Sequence, residues 1–152
     1  MKYVLSYTDP ENHFIDFSLT FNGHSFDEIA VQLPAWRPGR YELGNFAKNI
    51  KDFEVHDMDD NPISFKKLTK DKWCIQSNGK DFKITYRYYA AELNAGSTYL
   101  DENQLYVNPV NCFLFLIDLI MSGINLSFPQ SPPPITFPAL TDDIAIFFFL
   151  KI

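Results

Sequence analysis

Apolar and polar residues alternate along much of the first ninety positions. Between residues 15 and 21 every second residue is apolar, and the residues between them are polar. This period of two is typical of a strand with one buried face. Residues 29–33 and 82–88 repeat the pattern, and Pro34 ends the earlier run because proline cannot donate to a sheet ladder. The alternation predicts three half-buried strands.

Turn-forming residues divide the remaining β-prone runs. Asp57–Pro62, rich in Asp and Asn, lies between two such runs, and so does Asn78-Gly79, whose residue types tolerate positive φ. Both segments predict hairpins. The helical pattern is limited to Tyr41–Lys51, where Phe46 and Ile50 stand four residues apart. We therefore expect an all-β antiparallel β-sandwich with one short helix and an irregular C-terminal tail.

The composition changes sharply near residue 115. Residues 113–152 hold five of the ten prolines, seven of the fifteen phenylalanines and only four charged residues, without a clear period. The sequence predicts a β-sandwich domain over residues 1–115 and an atypical Pro/Phe-rich tail over residues 116–152. A frameshifted or truncated reading frame and a divergent natural tail are the two explanations for the change.

Charge and cysteine content exclude several classes of function. The net charge of −6 and the pI near 4.9 argue against nucleic acid as a partner, since phosphate binding needs clustered basic residues. No apolar run reaches the roughly 20 residues that a membrane-spanning helix needs. The N-terminus has no signal-peptide core, which predicts a cytoplasmic chain. Cys74 and Cys112 match no metal-binding spacing, so we expect reduced thiols packed as small apolar residues.

The segment Leu33–Tyr41, LPAWRPGRY, resembles the LPxWxPGxY signature of the glycyl aminopeptidase family, whose members often also carry a PDZ domain. Other motifs agree with that family's N-terminal domain in order and spacing, over about residues 3–115. They are Asn45–Ile50, Phe53, the Asp57–Pro62 turn, Lys72-Trp73, Tyr86–Tyr88 and Thr98–Asp101. The resemblance implies an N-terminal β-domain that precedes and packs on a thermolysin-like zinc peptidase domain.

The zinc chemistry of that family is missing from this chain. Its H-E-x-x-H motif does not occur in the 152 residues, and His13, His24 and His56 lack an i, i+4 partner. We expect no catalytic residue, no bound metal and no cofactor here, while zinc belongs to the parent family. The implied partner is the catalytic peptidase domain, whose peptide-binding cleft this domain helps to shape.

Trp36, Arg37, Arg40 and Tyr41 surround a Pro-Gly turn in the signature segment and are the candidate site residues. Such a turn presents two guanidinium groups and two aromatic faces together. One interpretation is a surface that meets the catalytic domain or borders its cleft, where arginine holds a carboxylate. The other is a tight turn whose buried tryptophan anchors the sandwich.

Two further sets of residues allow a binding function. Asp57, Asp59, Asp60 and Asn61 offer oxygen atoms of the kind calcium prefers, but without the glycine and distal glutamate of an EF-hand, so a solvated turn is favoured. A group of tyrosines could instead form the platform of a free-standing module that binds carbohydrate or peptide, the alternative function. Packing between strands is favoured for them. They are Tyr86, Tyr88, Tyr89, Tyr99 and Tyr106.

Overall fold

A computed structural model describes residues 2–23, 25–37, 42–94 and 96–117, and the backbone of residues 148–151. Its strands are β1 (Lys2–Ser6), β2 (Phe14–Phe21), β3 (Glu28–Gln32), β4 (Ile50–Asp57), β5 (Phe65–Lys67), β6 (Lys72–Gln76), β7 (Phe82–Tyr89), β8 (Tyr99–Leu100), β9 (Gln104–Val107), β10 (Phe115–Ile117) and β11 (Phe148–Lys151). The helical elements are two 3₁₀ turns, Pro10–Asn12 and Phe46–Asn49, and the α-helical turn α1 (Pro109–Cys112).

Antiparallel pairing joins the strands into sheets in the orders β1-β2-β7-β4 and β10-β3-β6-β5, with a smaller sheet β11-β9-β8. The predicted all-β sandwich is confirmed. The alternating residues 15–21 and 82–88 form β2 and β7, which pair along their whole length from Phe14↔Tyr89 to Phe21↔Phe82. In both strands every second side chain is buried. The predicted buried faces are therefore correct.

Aromatic rings fill much of the space between the two main sheets. Phe17 of β2 stacks on Tyr86 of β7, with ring centroids 5.0 Å apart. Across the core, Phe53 of β4 stacks on Trp73 of β6 at 4.7 Å, which joins the two sheets directly. Each such pair contributes roughly 0.5–1.5 kcal/mol beyond its buried area.

The segment after β9 is anchored to the same core. The hydroxyl of Tyr86 donates to the Cys112 carbonyl at 2.5 Å, and that of Tyr3 donates to the Leu114 carbonyl. Because buried carbonyls need a partner, these two phenols hold the chain in place as it leaves α1. Burial raises the pKa of the Cys112 thiol to about 12. Cys74 and Cys112 are both buried free thiols, which confirms their predicted packing.

The hairpin predicted around Asn78-Gly79 is wrong, because β6 and β7 belong to different sheets. Both turn residues do have positive φ, at 50° and 72°. Their backbone N–H groups, however, donate to the carbonyls of Asp27 and Phe26 at 2.9 and 3.0 Å. The turn thus carries the chain from one sheet to the other.

The hairpin predicted around Asp57–Pro62 forms only at its tip. One bridge joins His56 to Pro62, and β5 then leaves to pair with β6 in the other sheet. β5 is the exposed edge strand of that sheet, and Phe65 contacts Phe53 of β4 edge to face, with ring centroids 5.0 Å apart.

The expected short helix is the 3₁₀ turn Phe46–Asn49. The turn α1 was not predicted; it begins where the Asn108 side chain accepts the Val110 N–H at 3.2 Å and Pro109 occupies the first position. The predicted division after residue 115 stays a prediction. It lies within β10, and residues 118–147 of the predicted tail lie outside the described residues. In the part of the chain that the structure describes, no helix is long and apolar enough to cross a membrane.

Candidate functional site

A cavity of about 180 Å³ lies at the end of the sandwich where β7 finishes. Its walls come from four separate parts of the chain: the end of the signature segment, the 3₁₀ turn Phe46–Asn49, the loop after β7, and α1. We call this cavity the Arg37 pocket, after the predicted site residue that lines it.

The last residues of β7 form the aromatic wall of the Arg37 pocket. Tyr88 is buried, and its hydroxyl accepts the Asn49 side-chain N–H at 3.1 Å. Burial raises the pKa of Tyr88, so the phenol stays protonated at physiological pH. Tyr88 of β7 is also paired with Ile50 of the neighbouring strand β4, so the sheet fixes this wall of the pocket.

The guanidinium of Arg37 lies over Gly96 on the opposite side of the pocket. A Cβ atom at residue 96 would overlap that guanidinium, so a larger residue there would displace the flexible Arg37 side chain. A hydrogen bond of 2.8 Å from the Gly44 N–H to the Ala35 carbonyl holds the signature segment against the following loop. Among the residues that the structure describes, no carboxylate pairs with Arg37.

Asn111 closes the bottom of the pocket and is only 1% exposed. Its side-chain Nδ2 donates to the Gly96 carbonyl at 2.7 Å, which fixes the orientation of the amide. The Oδ1 atom then has no hydrogen-bond partner within the described ranges. An unsatisfied buried acceptor costs about 1–3 kcal/mol, so this oxygen lowers the stability of the described fold.

Internal hydrogen bonds hold the loop that carries Gly96. The Gly96 N–H donates to the Asn94 side chain at 2.9 Å, and the Ser97 hydroxyl donates to the Glu92 carbonyl. The Asn108 side chain adds a second donor, at 3.1 Å, to the Gly96 carbonyl. These bonds fix both the N–H and the carbonyl of Gly96.

Exposed apolar side chains lie in the segments that line the Arg37 pocket and directly beside them in sequence. Leu43 is 81% exposed and Tyr89 44%, and both line the pocket. Trp36, 57% exposed, and Leu93, 59% exposed, are sequence neighbours of lining residues. We call Trp36, Leu43, Tyr89 and Leu93 the rim. Apolar residues grouped around a cavity are typical of an interaction surface.

The signature residues are placed as follows. Arg37 lines the pocket and Trp36 belongs to its rim, while Arg40 and Tyr41 lie outside the described residues. The interpretation of Trp36 as a buried anchor is wrong. Trp73 is the buried tryptophan, because it lies on a central strand between the sheets, whereas Trp36 follows the end of β3.

Sequence reasoning missed Gly96 and Asn111, the two residues that contact each other beneath Arg37. The only local signal was Asn108-Pro109, a helix start that places Asn111 on the following turn. Nothing in the sequence shows that this turn lies beneath the signature segment.

Three of the other candidate residues, Tyr86, Tyr88 and Asp57, stabilise the fold itself. Tyr86 and Tyr88 are buried in the core, which confirms the packing interpretation for both and leaves no platform that includes them. The carboxylate of Asp57 accepts the backbone N–H groups of Asp59 and Asn61 at 3.0 and 2.9 Å, so it caps its own turn.

The side chains present do not fit a catalytic zinc ion. Within residues 2–23, 25–37, 42–94 and 96–117, no three His, Cys, Asp or Glu side chains are grouped closely enough to hold a metal. The ring of His13 is instead used by the fold, since its Nδ1 contacts the Leu100 carbonyl at 2.5 Å. The expectations of no metal, no cofactor and no catalytic residue stay predictions.

Comparison with known proteins agrees with the fold. The sequence model described as the peptidase M61 N-terminal domain matches residues 2–137. The crystal structure of an aminopeptidase N family protein from Idiomarina loihiensis is 27% identical, with a TM-score of 0.70 over 76% of this chain. This chain spans only 19% of that protein. No curated protein matches. The family match covers most of the chain and confirms the resemblance found in the sequence: this chain belongs to the peptidase M61 N-terminal domain family.

Proposed function

We propose that this chain is the non-catalytic N-terminal domain, or a fragment, of a glycyl-aminopeptidase-like zinc metallopeptidase. In this proposal the rim packs on the catalytic domain, and the signature segment helps to shape the cleft that admits the peptide. Zinc is bound by the catalytic domain alone. The buried free thiols suit a cytoplasmic location, where cysteines stay reduced.

The observation that carries the proposal is the exposed apolar rim beside the signature segment. Leu43 and Trp36 are 81% and 57% exposed, and both lie in or directly beside the segments that line the pocket. Interfaces between domains of one chain combine such apolar contacts with a polar periphery. The matched region is only 19% of the Idiomarina protein, so that relative has much further chain with which such a surface could pack.

A second candidate function is the free-standing binding module. The Arg37 pocket favours it, since the cavity is lined by a guanidinium that pairs with no carboxylate among the described residues. An arginine favours a carboxylate-bearing peptide over a neutral carbohydrate.

The experiment begins with the encoding DNA downstream of the codon for Asn111, read in all three frames for H-E-x-x-H. That catalytic region is then produced separately, and its affinity for this chain is measured by calorimetry. We expect Trp36→Ser with Leu43→Ser to weaken the complex at least about tenfold, because apolar anchors dominate interfaces.

Met58→Ser is the matched control for this experiment. Met58 is 58% exposed, as Trp36 nearly is, but it lies in the Asp57 turn at the other end of β4. Its replacement is expected to leave the affinity unchanged. Equal weakening by both variants, or no H-E-x-x-H in any frame, would contradict the proposal and favour the free-standing module.

A further inference from the structure

We propose that β11 covers a pairing edge of β9 and thereby keeps two copies of this chain from joining there. When β11 is released, β9 of one copy pairs with β9 of a second copy. The inference goes beyond the proposed function, because it needs no catalytic domain and concerns the association of this chain with itself.

The strand β9 has the composition of a strand that pairs readily. Its residues Gln104–Val107 include no charged residue and no proline, and neither of its ladders shows a register shift. β8 pairs only with Leu105 and Tyr106, whereas β11 pairs with all four residues of β9 on the other side. An uncharged edge without proline or a bulge is a template for another strand. β11 is therefore what protects β9 on that side.

Two outer strands of the main sheets are protected by their own residues instead. β5 is only three residues long, Phe65–Lys67, and its last two residues are exposed lysines. β4 has a register shift between Lys51 and Glu54, where Asp52 has a positive φ of 52°. Edge lysines and a bulge both oppose the addition of a further strand. β9 has neither feature, and cover by β11 takes their place.

The ribbon of β8 and β9 is held to the domain by contacts other than β11. The Leu100 N–H donates to the Ala90 carbonyl at 2.8 Å, and the Leu100 and Val107 side chains are buried in the core. Beyond the ends of the two strands, the Asn108 N–H donates to the Thr98 hydroxyl at 3.1 Å. Because none of these contacts involves β11, β9 stays in place when β11 leaves, and its edge is then exposed.

β11 is attached to the domain through a single neighbour. Among the strands that the structure describes, only β9 pairs with β11. A strand of the core such as β2 is paired on both sides, with β1 and with β7. Parts of a fold with few supporting contacts open locally at a lower free-energy cost than the core does. β11 can therefore leave β9 while the two main sheets stay intact.

A second copy of this chain fits the uncovered edge of β9. Two identical strands related by a two-fold axis pair antiparallel and place the same residue of each copy on the axis. Centred on Tyr106, this pairing puts Leu105 of one copy opposite Val107 of the other. Such apolar pairs stabilise an antiparallel ladder. Although each chain has a net charge of −6, no two charged residues meet between the two β9 strands.

The test releases β11 in the full chain by a pair of proline substitutions. Only every second residue of an antiparallel strand exchanges hydrogen bonds with a given neighbour, so Phe149→Pro and Leu150→Pro are made together. We expect this released variant to self-associate at least about tenfold more tightly than the parent chain, because the uncovered edge gains a ladder of hydrogen bonds. Light scattering over a range of concentrations measures both dissociation constants.

Ile144→Pro with Ala145→Pro is the matched control for the proline pair. It adds the same two residues to the chain outside β11, so β9 stays covered. Its self-association is expected to equal that of the parent chain. Equally tight association of the control and the released variant would refute the role of β11.

A third substitution ties the contact to β9. Tyr106→Lys, made in the released variant, places two lysines opposite each other on the two-fold axis and should restore the weaker association of the parent chain. Hydrogen exchange should show new protection at residues 104–107 when the released variant associates. If the proline pair leaves self-association unchanged, if Tyr106→Lys has no effect, or if the new protection lies in β10 instead, the proposal is overturned.

The parent chain allows a measurement that does not require the proline variant to fold. Amide hydrogens of β11 should exchange at least about tenfold faster than those of β2, because β11 opens locally. Equal exchange rates would show that β11 leaves only when the whole domain unfolds, and the proposal would then be wrong. These outcomes are independent of the rim experiment, which measures association with another domain.

Discussion

The two ends of β7 differ in how their polar groups are satisfied. At the first end, beside Phe82, the buried carboxylate of Asp57 accepts from the backbone of its own turn and lies 3.9 Å from the Lys80 ammonium. At the other end, beside Tyr89, Asn111 Oδ1 has no partner among the described residues, and Arg37 lacks a carboxylate. Within the described residues, the polar groups of one end are satisfied, and the other end keeps an unpaired buried acceptor.

The difference shows where stability and function separate in this domain. A buried polar group without a partner is costly, so a fold optimised only for stability would not retain Asn111 in this state. The Asp57 end follows that rule. The Arg37 end departs from it at the place where exposed apolar residues are also grouped, and functional sites are the places where such departures are found.

The largest effect on stability is expected from a residue of β2 that packs against β7, the strand that joins the two ends. Phe17→Ala removes a ring that is stacked on Tyr86 in the middle of β7 and leaves a cavity, at a cost of about 3–5 kcal/mol in the free energy of unfolding. Urea denaturation measures this loss. Hydrogen exchange should show protection falling at both ends of β7 together; loss at one end alone would mean that the ends are independently stable.

A smaller effect that depends on pH is expected at the Asp57 end. The hydrogen bond from the Asn61 N–H lowers the pKa of Asp57 below its ordinary value of 3.8. The ionised carboxylate therefore stabilises the native state above pH 3.8, and this contribution is lost as the pH falls through the lowered pKa.

Asp57→Asn tests that contribution. The variant should be less stable than the parent at pH 7, and the difference should shrink at pH 2, where a larger share of the parent carboxylate is protonated. Urea midpoints at the two pH values measure both differences. Asp59→Asn is the control, because the Asp59 side chain takes no part in capping the turn. A difference independent of pH would show that ionisation of Asp57 is not involved.

The smallest effect is expected at the Arg37 end. Leu43→Ser replaces a side chain that is 81% exposed, so the free energy of unfolding should change by less than about 0.5 kcal/mol. The urea midpoint checks this, and light scattering should show reduced self-association as apolar surface is removed. A large loss of stability would mean that Leu43 packs on the domain in solution and that the rim is not free.

Local patterns predicted the strands well and their partners poorly. The alternation in β2 and β7 is a property of neighbouring residues, and the burial of Phe17 and Tyr86 follows from it. The positive φ of Asn78 is likewise a local preference of its residue type. The pairing of β6 with β3 instead of β7 depends on which apolar faces meet across the core, and no neighbouring residues record that choice.

The residues of the candidate site likewise fall into one that a local motif predicted and two that only the tertiary structure revealed. Residues 33–41 pointed to Arg37 through their resemblance to a family signature, and Arg37 does line the pocket. Gly96 carried no signal and Asn111 only that of the helix start at Asn108-Pro109, because a single glycine and a single asparagine are common in loops. Their importance comes from lying beneath a residue that is more than fifty positions earlier in the chain.

By itself, the sequence determined the class of fold, the buried faces of the long strands, the turn positions and the family, since each depends on residue types within a short window. Only the tertiary structure decided which sheet receives each strand, which tryptophan is buried, and which polar atoms are left without a partner. Those outcomes depend on contacts between distant segments, and the free energy that selects them comes from burial in a shared core.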